Sequence, residues 1–481
     1  MRQLRHLPEV VPGKQHRPYR RPPLVERELR GLPQLLPLMP APRHKLRQEH
    51  HKERTIYIQA PCRRNGTIHK GTGRAARNRQ ALGQQAAVAE RRQATNKTDN
   101  MKILLLGEFS NVHWALACGL RRLGHTVTVV SDGDNWKNYH RDIDVRRYDL
   151  GVRGTTAFVG RLMKVLPKLK DYDVVQIINP IFLPLKAERI NPIYNLLRKR
   201  NKSMFLGAFG MDHFWVHAGC DCKTFRYSDF NFGNQIRHDG ENDIWIREWG
   251  SGVKGMLNCR IAQNCDGIIA GLYEYYASYK PYFESKLKFI PFPIDLSTVT
   301  PKTATPHERV RFFIGIQKSR SQYKGTDIML RALERVVGEY PEKAEMIKVE
   351  SVPFEKYQNL MNSSDVILDQ LYSYTPAMNA LVAMAKGLVV VGGGEEENYE
   401  ILGEKELRPI INVLPNEESV YNELKNLVTH SERIPELSRQ SVEYIHKYHD
   451  ADKVAQQYVD FWLQRIDAKI KAKNDPALQL D

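Results

Sequence analysis

Cysteine is scarce in this sequence. Its six copies, Cys62, Cys118, Cys220, Cys222, Cys259 and Cys265, fall at spacings that match no disulfide framework. A chain of 481 residues is long enough to stabilise itself without cross-links, so the pattern points to a reducing compartment and a cytoplasmic protein. Long apolar runs are missing too. No stretch approaches the roughly 18 to 20 residues that a membrane-spanning helix needs, and the one leader-like segment, Leu32 to Leu38, is cut by Pro33 and Pro37. Acidic residues are sparse in the first hundred positions, with 7 Asp plus Glu against 22 Lys plus Arg; the chain totals of 55 and 72 leave 48 and 50 for the rest. The net charge of +17 is therefore local to the N-terminal segment. The remainder is near neutrality, and a specific nucleic-acid partner for it loses its electrostatic support.

Residues 1–100 are also poor in large apolar side chains and show no sustained period of 2 or 3.6, so they are expected to be disordered. Three readings stay open: a basic arm for anionic membrane or RNA, a cleavable targeting peptide, or upstream sequence that is not natively translated. The third draws support from Met101, which is followed at once by a buried-strand opening, Lys102-Ile-Leu-Leu-Leu-Gly107.

From Met101 onward, short apolar runs alternate with helical periodicity, which predicts parallel strands joined by crossover helices. Ile103 to Leu106 reads as a strand, Val112, Leu116, Leu120 and Leu123 mark one face of a helix ended by Gly124, and Thr126 to Val130 reads as the next strand. Further strands are predicted at Val174 to Ile178, Met204 to Leu206, Gly267 to Ala270 and Lys288 to Ile290. The polar, proline-bearing stretch Thr298 to Glu308 reads as a hinge. A second set follows at Val310 to Ile314, Met346 to Val349, Val366 to Leu368, Leu388 to Val391 and Pro409 to Val413. The predicted fold class is α/β: two Rossmann-like, doubly wound domains, 101–297 and 298–450, facing a cleft outside the carboxyl ends of their strands. A last helix, Asp452 to Ile466, is expected to pack back on the first domain, with a frayed tail from Lys469.

The strongest local signal is Gly315-Ile-Gln-Lys318-Ser-Arg320-Ser-Gln-Tyr-Lys324-Gly325-Thr326, which follows a strand and opens a helix. Free backbone N–H groups and the helix dipole favour an anion there, glycine lets it approach the main chain, and Lys318, Arg320 and Lys324 supply charge to neutralise a diphosphate. Gly392-Gly393-Gly394-Glu395-Glu396-Glu397 follows another strand and offers amides and carboxylates to a phosphate or a sugar hydroxyl, or forms a plain flexible turn. In the first half, Gly107 and His113 belong to a strand-to-helix turn. Asp212 and His213, at another strand end, are candidates for deprotonating an acceptor. His213, His217, Cys220 and Cys222 match no common zinc-finger spacing, and no metal is expected. The aromatic run Phe214, Trp215, Phe225, Tyr227, Phe230 and Phe232 reads as a loop over the cleft or a peripheral membrane-facing edge. Asp132-Gly133-Asp134 reads as an ordinary turn.

On these residues the body, roughly Met101 to Ile466, resembles the GT-B-fold glycosyltransferases, in particular the large retaining group that uses UDP-, GDP- or ADP-sugars. Lys324-Gly325 is similar to part of that group's phosphate-binding basic pair, with Arg320 or Lys318 as partner. Ile290-Pro-Phe-Pro293-Ile-Asp295 resembles the segment leading into the second domain, and Ala383-Met-Ala-Lys-Gly387-Leu-Val-Val390 resembles its donor-side helix and strand. The family's two glutamates eight positions apart are absent, the matching positions being Tyr374 and Val382. Asp369, Asn379 and Glu395 to Glu397 are the candidate substitutes, with Gly393 and Gly394 in the donor-side loop. The resemblance implies a UDP- or GDP-sugar donor bound in the second domain without a cofactor, and a glycan or lipid-linked acceptor in the first, with surface polysaccharide assembly as the expected setting. It also implies that the turn carrying Gly107 and His113 lines the cleft on the acceptor side. A nucleotide-sugar epimerase or a scaffold that has lost catalysis are the alternatives.

Overall fold

The computed structural model describes residues 100–149, 151–302, 308–317, 320–350, 352 and 354–474. The first lobe is built on a seven-stranded sheet: β1 (Lys102–Leu106), β2 (Thr126–Ser131), β3 (Ile143–Asp144), β4 (Val174–Ile177), β5 (Met204–Ala208), β8 (Gly267–Ala270) and β9 (Leu287–Phe289). Between β5 and β8 the chain makes a small antiparallel hairpin of β6 (Asn231–Phe232) and β7 (Gln235–Ile236). The large sheet has the order β3-β2-β1-β4-β5-β8-β9, and every pairing in it is parallel. The second lobe carries β10 (Val310–Ile316), β11 (Ala344–Glu350), β12 (Val366–Leu368), β13 (Val389–Gly392) and β14 (Ile410–Asn412) in the order β11-β10-β12-β13-β14, again all parallel.

The reason is legible in the runs themselves. Ile103 to Leu106, Val366 to Leu368 and Val389 to Gly392 are apolar without alternation, as strands are when crossover helices cover both faces of a parallel sheet. The helix Val112–Arg122 buries Val112, Leu116 and Leu120 against β1 and stops where Gly124 takes a φ of +93° and its N–H returns to the Arg121 carbonyl. Both sheets reverse winding direction once, between β1 and β4 and between β10 and β12. Such switch points open a crevice at the strands' carboxyl ends.

The chain passes between the lobes twice, and the two passages pair. Ile294 bridges Asp450 in parallel, and the Ile294 N–H donates to the His449 carbonyl at 2.6 Å. The final helix, Ala451–Asn474, then lies on the Val112–Arg122 helix, close enough that a Cβ at Gly119 would sit 2.3 Å from the Ala451 carbonyl oxygen. This helix differs from the sequence-based expectation, which frays it from Lys469. The Arg465 guanidinium donates to the Asp266 and Ser285 carbonyls, and the Lys469 ammonium donates to the Lys202 carbonyl at 2.9 Å, holding the terminal turns to the sheet edge. Among the described residues no helix is long and apolar enough to cross a membrane.

Candidate functional site

A cavity of about 580 Å³ opens at the carboxyl ends of both sheets. The second lobe supplies Gly315 and Ile316 from the end of β10, Leu368 and Asp369 from the end of β12, and Arg320 and Lys324 from the loop that leads into the helix Thr326–Glu339. Tyr357, Asn379 and Val382 complete that wall. The first lobe supplies Ser110 and Asn111 after β1, and Trp136, Lys137 and Tyr139 after β2.

The geometry of the second-lobe wall follows from its turn. Gly325 adopts a φ of +71°, and a Cβ there would meet the Leu371 side chain at 2.9 Å, so the residue shapes the turn that delivers Lys324 rather than facing a ligand. A Cβ at Gly315 would press on the Tyr357 ring at 2.8 Å, so glycine keeps that ring seated in the cavity wall. Burial pushes the Lys324 ammonium below its ordinary pKa, and Asp369 opposes that shift. Burial likewise raises the Asp369 carboxyl, against the pull of Lys324. Among the described residues neither Lys324 nor Arg320 forms a salt bridge. Asp369 accepts from Asn379 Nδ2 at 3.0 Å, and Asn379 Oδ1 accepts from the Tyr357 hydroxyl at 3.1 Å. This relay fixes a carboxylate, an amide and a phenol on one wall while two cations stand beside them with spare donors. The wall can take a diphosphate and orient hydroxyl groups.

Of the residues singled out from sequence, the cavity gathers Gly315, Arg320, Lys324, Asp369 and Asn379, while Lys318 lies outside the described residues. The others are placed elsewhere. Gly393 is pressed against the Ser373 carbonyl, where a Cβ would sit 2.1 Å from the oxygen, and Gly394 is packed on Ile410. Glu395 accepts from Asn412 at 3.0 Å, from Arg226 at 2.8 Å and from the Tyr227 hydroxyl, so its carboxylate is occupied by protein donors. Gly107 has a φ of +83° and abuts Ile178, and the buried His113 shares its Nδ1 with the Gly107 carbonyl at 2.8 Å. Burial drives the His113 pKa down to about 3, leaving a neutral ring behind the cleft wall.

Asp212 and His213 do not line the cavity. Asp212 is 0% exposed and caps the helix His213–Cys220: one carboxylate oxygen accepts from the Trp215 N–H at 2.9 Å, the other from the Tyr279 hydroxyl at 2.8 Å. Burial raises its pKa to about 7. The His213 ring shares Nδ1 with the Trp249 carbonyl at 2.8 Å. A residue that begins a helix just after a strand is spaced like a catalytic one, and here the cap uses the carboxylate. The predicted aromatic loop is corrected as well. Trp215, Phe225, Tyr227 and Phe230 are buried together with Trp249 and Tyr374, Phe214 packs on Tyr279 and Phe283, and only Phe232 of the six is exposed. Among the described residues no group of three or more His, Cys, Asp or Glu side chains is placed to hold a metal ion.

Sequence reasoning missed two features. The first is the contribution of Trp136, Lys137 and Tyr139, which follow the Asp132-Gly-Asp134 turn; the left-handed residues Asp134, Asn135 and Asn138 aim this loop at the cavity, and only the density of Asp, Asn and Gly signals it. The second is a latch between the lobes. Tyr374, standing where the resembling family has a glutamate, accepts from the Arg226 N–H at 2.8 Å and lies under its guanidinium, 4.8 Å from the ring centre. Glu274 of the first lobe accepts from the Tyr374 and Thr375 N–H groups at 2.6 and 3.1 Å and from the Thr375 hydroxyl. Arg237 of the hairpin donates to the Gln322 carbonyl at 2.8 Å and covers the Tyr372 ring.

No protein-family model matches the chain, and no curated protein matches it in sequence. Solved structures do match. A sucrose-phosphate synthase from Thermosynechococcus elongatus aligns over 76% of this chain and 100% of its own with a TM-score of 0.50 at 12% identity. HepE of Anabaena, in complex with UDP and glucose, aligns over 76% and 100% at 14% identity with a TM-score of 0.48. A putative UDP-N-acetylglucosamine 2-epimerase from Listeria monocytogenes aligns over 78% and 98% at 11% identity with a TM-score of 0.45. At such identities the likeness speaks for architecture alone. With the two parallel sheets and the cavity at their facing switch points, it establishes that this chain has the GT-B fold.

Proposed function

We propose that the chain binds a nucleoside-diphosphate sugar in the interlobe cavity and transfers the sugar to a hydroxyl of an acceptor approaching from the first lobe. The observation that carries this reading is the pairing of Lys324 and Arg320 on the cavity wall: two partly buried cations with no salt-bridge partner among the described residues. A partly buried ammonium offset only by the nearby Asp369 carboxylate is costly, and a ligand anion would complete its pairing.

In this scheme the bond from the sugar's anomeric carbon to the diphosphate oxygen breaks, and the developing charge is met by Lys324, Arg320 and the amides near Gly315. Asp369, oriented by Asn379, accepts from donor hydroxyl groups in place of the carboxylate that Tyr374 has displaced. The acceptor oxygen bonds to the anomeric carbon, and its proton passes to the departing diphosphate oxygen. We assign the donor to UDP- or GDP-sugars and the acceptor to a glycan or a lipid-linked saccharide of surface polysaccharide assembly.

Calorimetric titration of the full chain with UDP and GDP, beside Lys324→Ala, tests this. One nucleotide is expected to bind, and the substitution to weaken it by about 1.5 to 3 kcal/mol, as for a hydrogen bond to a charged group. Equal binding by both proteins removes the assigned site. A second reading, a nucleotide-binding scaffold without turnover, is favoured by the conversion of the family's glutamate position into the Tyr374 latch. It predicts nucleotide binding with no release of nucleotide from any nucleotide sugar.

A further inference from the structure

The first-lobe wall of the cavity contains a cation that the donor-site reading does not use. The Lys137 ammonium lies 2.7 Å from Asp134 Oδ2 and 3.1 Å from Ser110 Oγ, and Ser110 itself donates its N–H to the same Asp134 oxygen at 2.9 Å. Lys137, Ser110, Arg320 and Lys324 all line the one cavity. Besides its burial and the Asp369 carboxylate, Lys324 feels the charges of Arg320 and Lys137, which places the three cations within electrostatic reach across the seam.

Two strained loops hold Lys137 there. Of the seven non-glycine residues with positive φ among those described, five are Ser110, Asn111, Asp134, Asn135 and Asn138. Left-handed backbone costs energy in residues with a Cβ, and it persists where the surrounding structure enforces it. Asp134 occupies part of Lys137's donor capacity. An ammonium carries three donors, and Asp134 and Ser110 account for two of them.

We infer that Lys137 is a ligand-binding residue: it contacts a phosphoryl group at the lobe seam, so that Arg320 and Lys324 from the second lobe and Lys137 from the first enclose one anion from both sides. This rests on the proposed donor site. The phosphoryl group belongs either to the donor diphosphate or to a phosphorylated acceptor. An anion held in this way also fastens the lobes together at the cavity end.

Inorganic pyrophosphate is the probe that needs no knowledge of the base. Its affinity for the full chain is measured calorimetrically at low salt for wild type, Lys137→Met, Lys137→Arg, Lys324→Ala and the double variant Asp134→Asn/Lys137→Met, each with its melting temperature recorded. Lys137→Met is expected to weaken pyrophosphate about tenfold or more, and Lys137→Arg to restore most of it. The double variant isolates direct contact, because Lys137→Met alone leaves Asp134 without its counter-ion beside the anion. It is expected to stay weak. A double variant that binds as wild type does overturns the inference, since Lys137 would then only neutralise Asp134.

UDP or GDP in place of pyrophosphate identifies the source. The same loss assigns the contact to the donor diphosphate. Unchanged nucleotide binding, with loss of inorganic phosphate binding to the nucleotide-saturated protein, assigns it to a phosphorylated acceptor. If Lys137→Met matches wild type with all three probes while Lys324→Ala does not, the inference fails and the donor site stands. If Lys324→Ala is also silent, both fail.

Discussion

The two ends of the seam between the lobes are built on opposite principles. At the latch end the charged and polar groups named above have protein partners: Glu274 receives two N–H groups and a hydroxyl, Arg226 pairs with Glu395 and Glu397, and Tyr374 is stacked by aromatic rings and a guanidinium. At the cavity end Lys324 and Arg320 line the cavity, and among the described residues the Asp369 carboxylate near them is tied only to the Asn379 amide. Satisfied polar groups stabilise a fixed arrangement, whereas groups left with spare donors lower stability and wait for a ligand. The contrast also explains Tyr374. A carboxylate at that position would enter an aromatic cluster, where the phenol makes a lobe-to-lobe contact.

Asp212 gives the largest effect that bears on this division, because it tests whether a buried carboxylate with full protein partners behaves as structure. Its folded pKa of about 7 lies above the ordinary 3.8, so the folded state holds the proton more tightly. Stability from this group is therefore fully present below about pH 4 and lost as pH rises to about 7. Over that window wild type is expected to lose about 4 kcal/mol relative to Asp212→Asn. Urea denaturation of both proteins at several pH values reads this difference, and parallel pH profiles contradict it.

Next in size is the latch. Glu274→Ala leaves two N–H groups and a hydroxyl buried without an acceptor, and is expected to lower unfolding free energy by about 3 kcal/mol. The cavity end responds with the opposite sign. Lys324→Met removes a partly buried cation whose pKa burial has lowered, so the free protein should become more stable by about 1 kcal/mol while its affinity for the proposed anion falls. A destabilised Lys324→Met protein would show that Asp369 already satisfies the lysine, and the contrast between the two ends would fail. The smallest effect is expected at Arg226, whose side chain is 56% exposed; Arg226→Gln should cost under about 1 kcal/mol in the same assay, and less at high salt.

Much of the fold was written in the sequence. Unbroken apolar runs such as Ile103 to Leu106 and Val366 to Leu368 can only be strands of a sheet covered on both faces, and their alternation with helical periods dictates parallel winding. β3 and the β6–β7 hairpin left no such trace, because two-residue strands bury too little to impose a period. The second-lobe wall was legible for a related reason: Gly315, Arg320, Lys324 and Asp369 sit at strand ends and on the turn that opens a helix, where backbone topology alone sends them to the crevice.

Local sequence determined the strands of the two Rossmann-like sheets and the cationic turn, since each depends on residues within one βαβ unit. The tertiary structure alone decided the rest. Asp212 became a buried carboxylate tied across the fold, Glu395 an interlobe partner and Lys137 a cavity residue because the groups that donate to them or oppose them lie on distant segments, Tyr279, Arg226 and Lys324. A carboxylate or an ammonium carries the same chemistry wherever it stands in the chain. Whether that chemistry is consumed by the protein or left for a ligand depends on what the fold brings within about 3 Å of it.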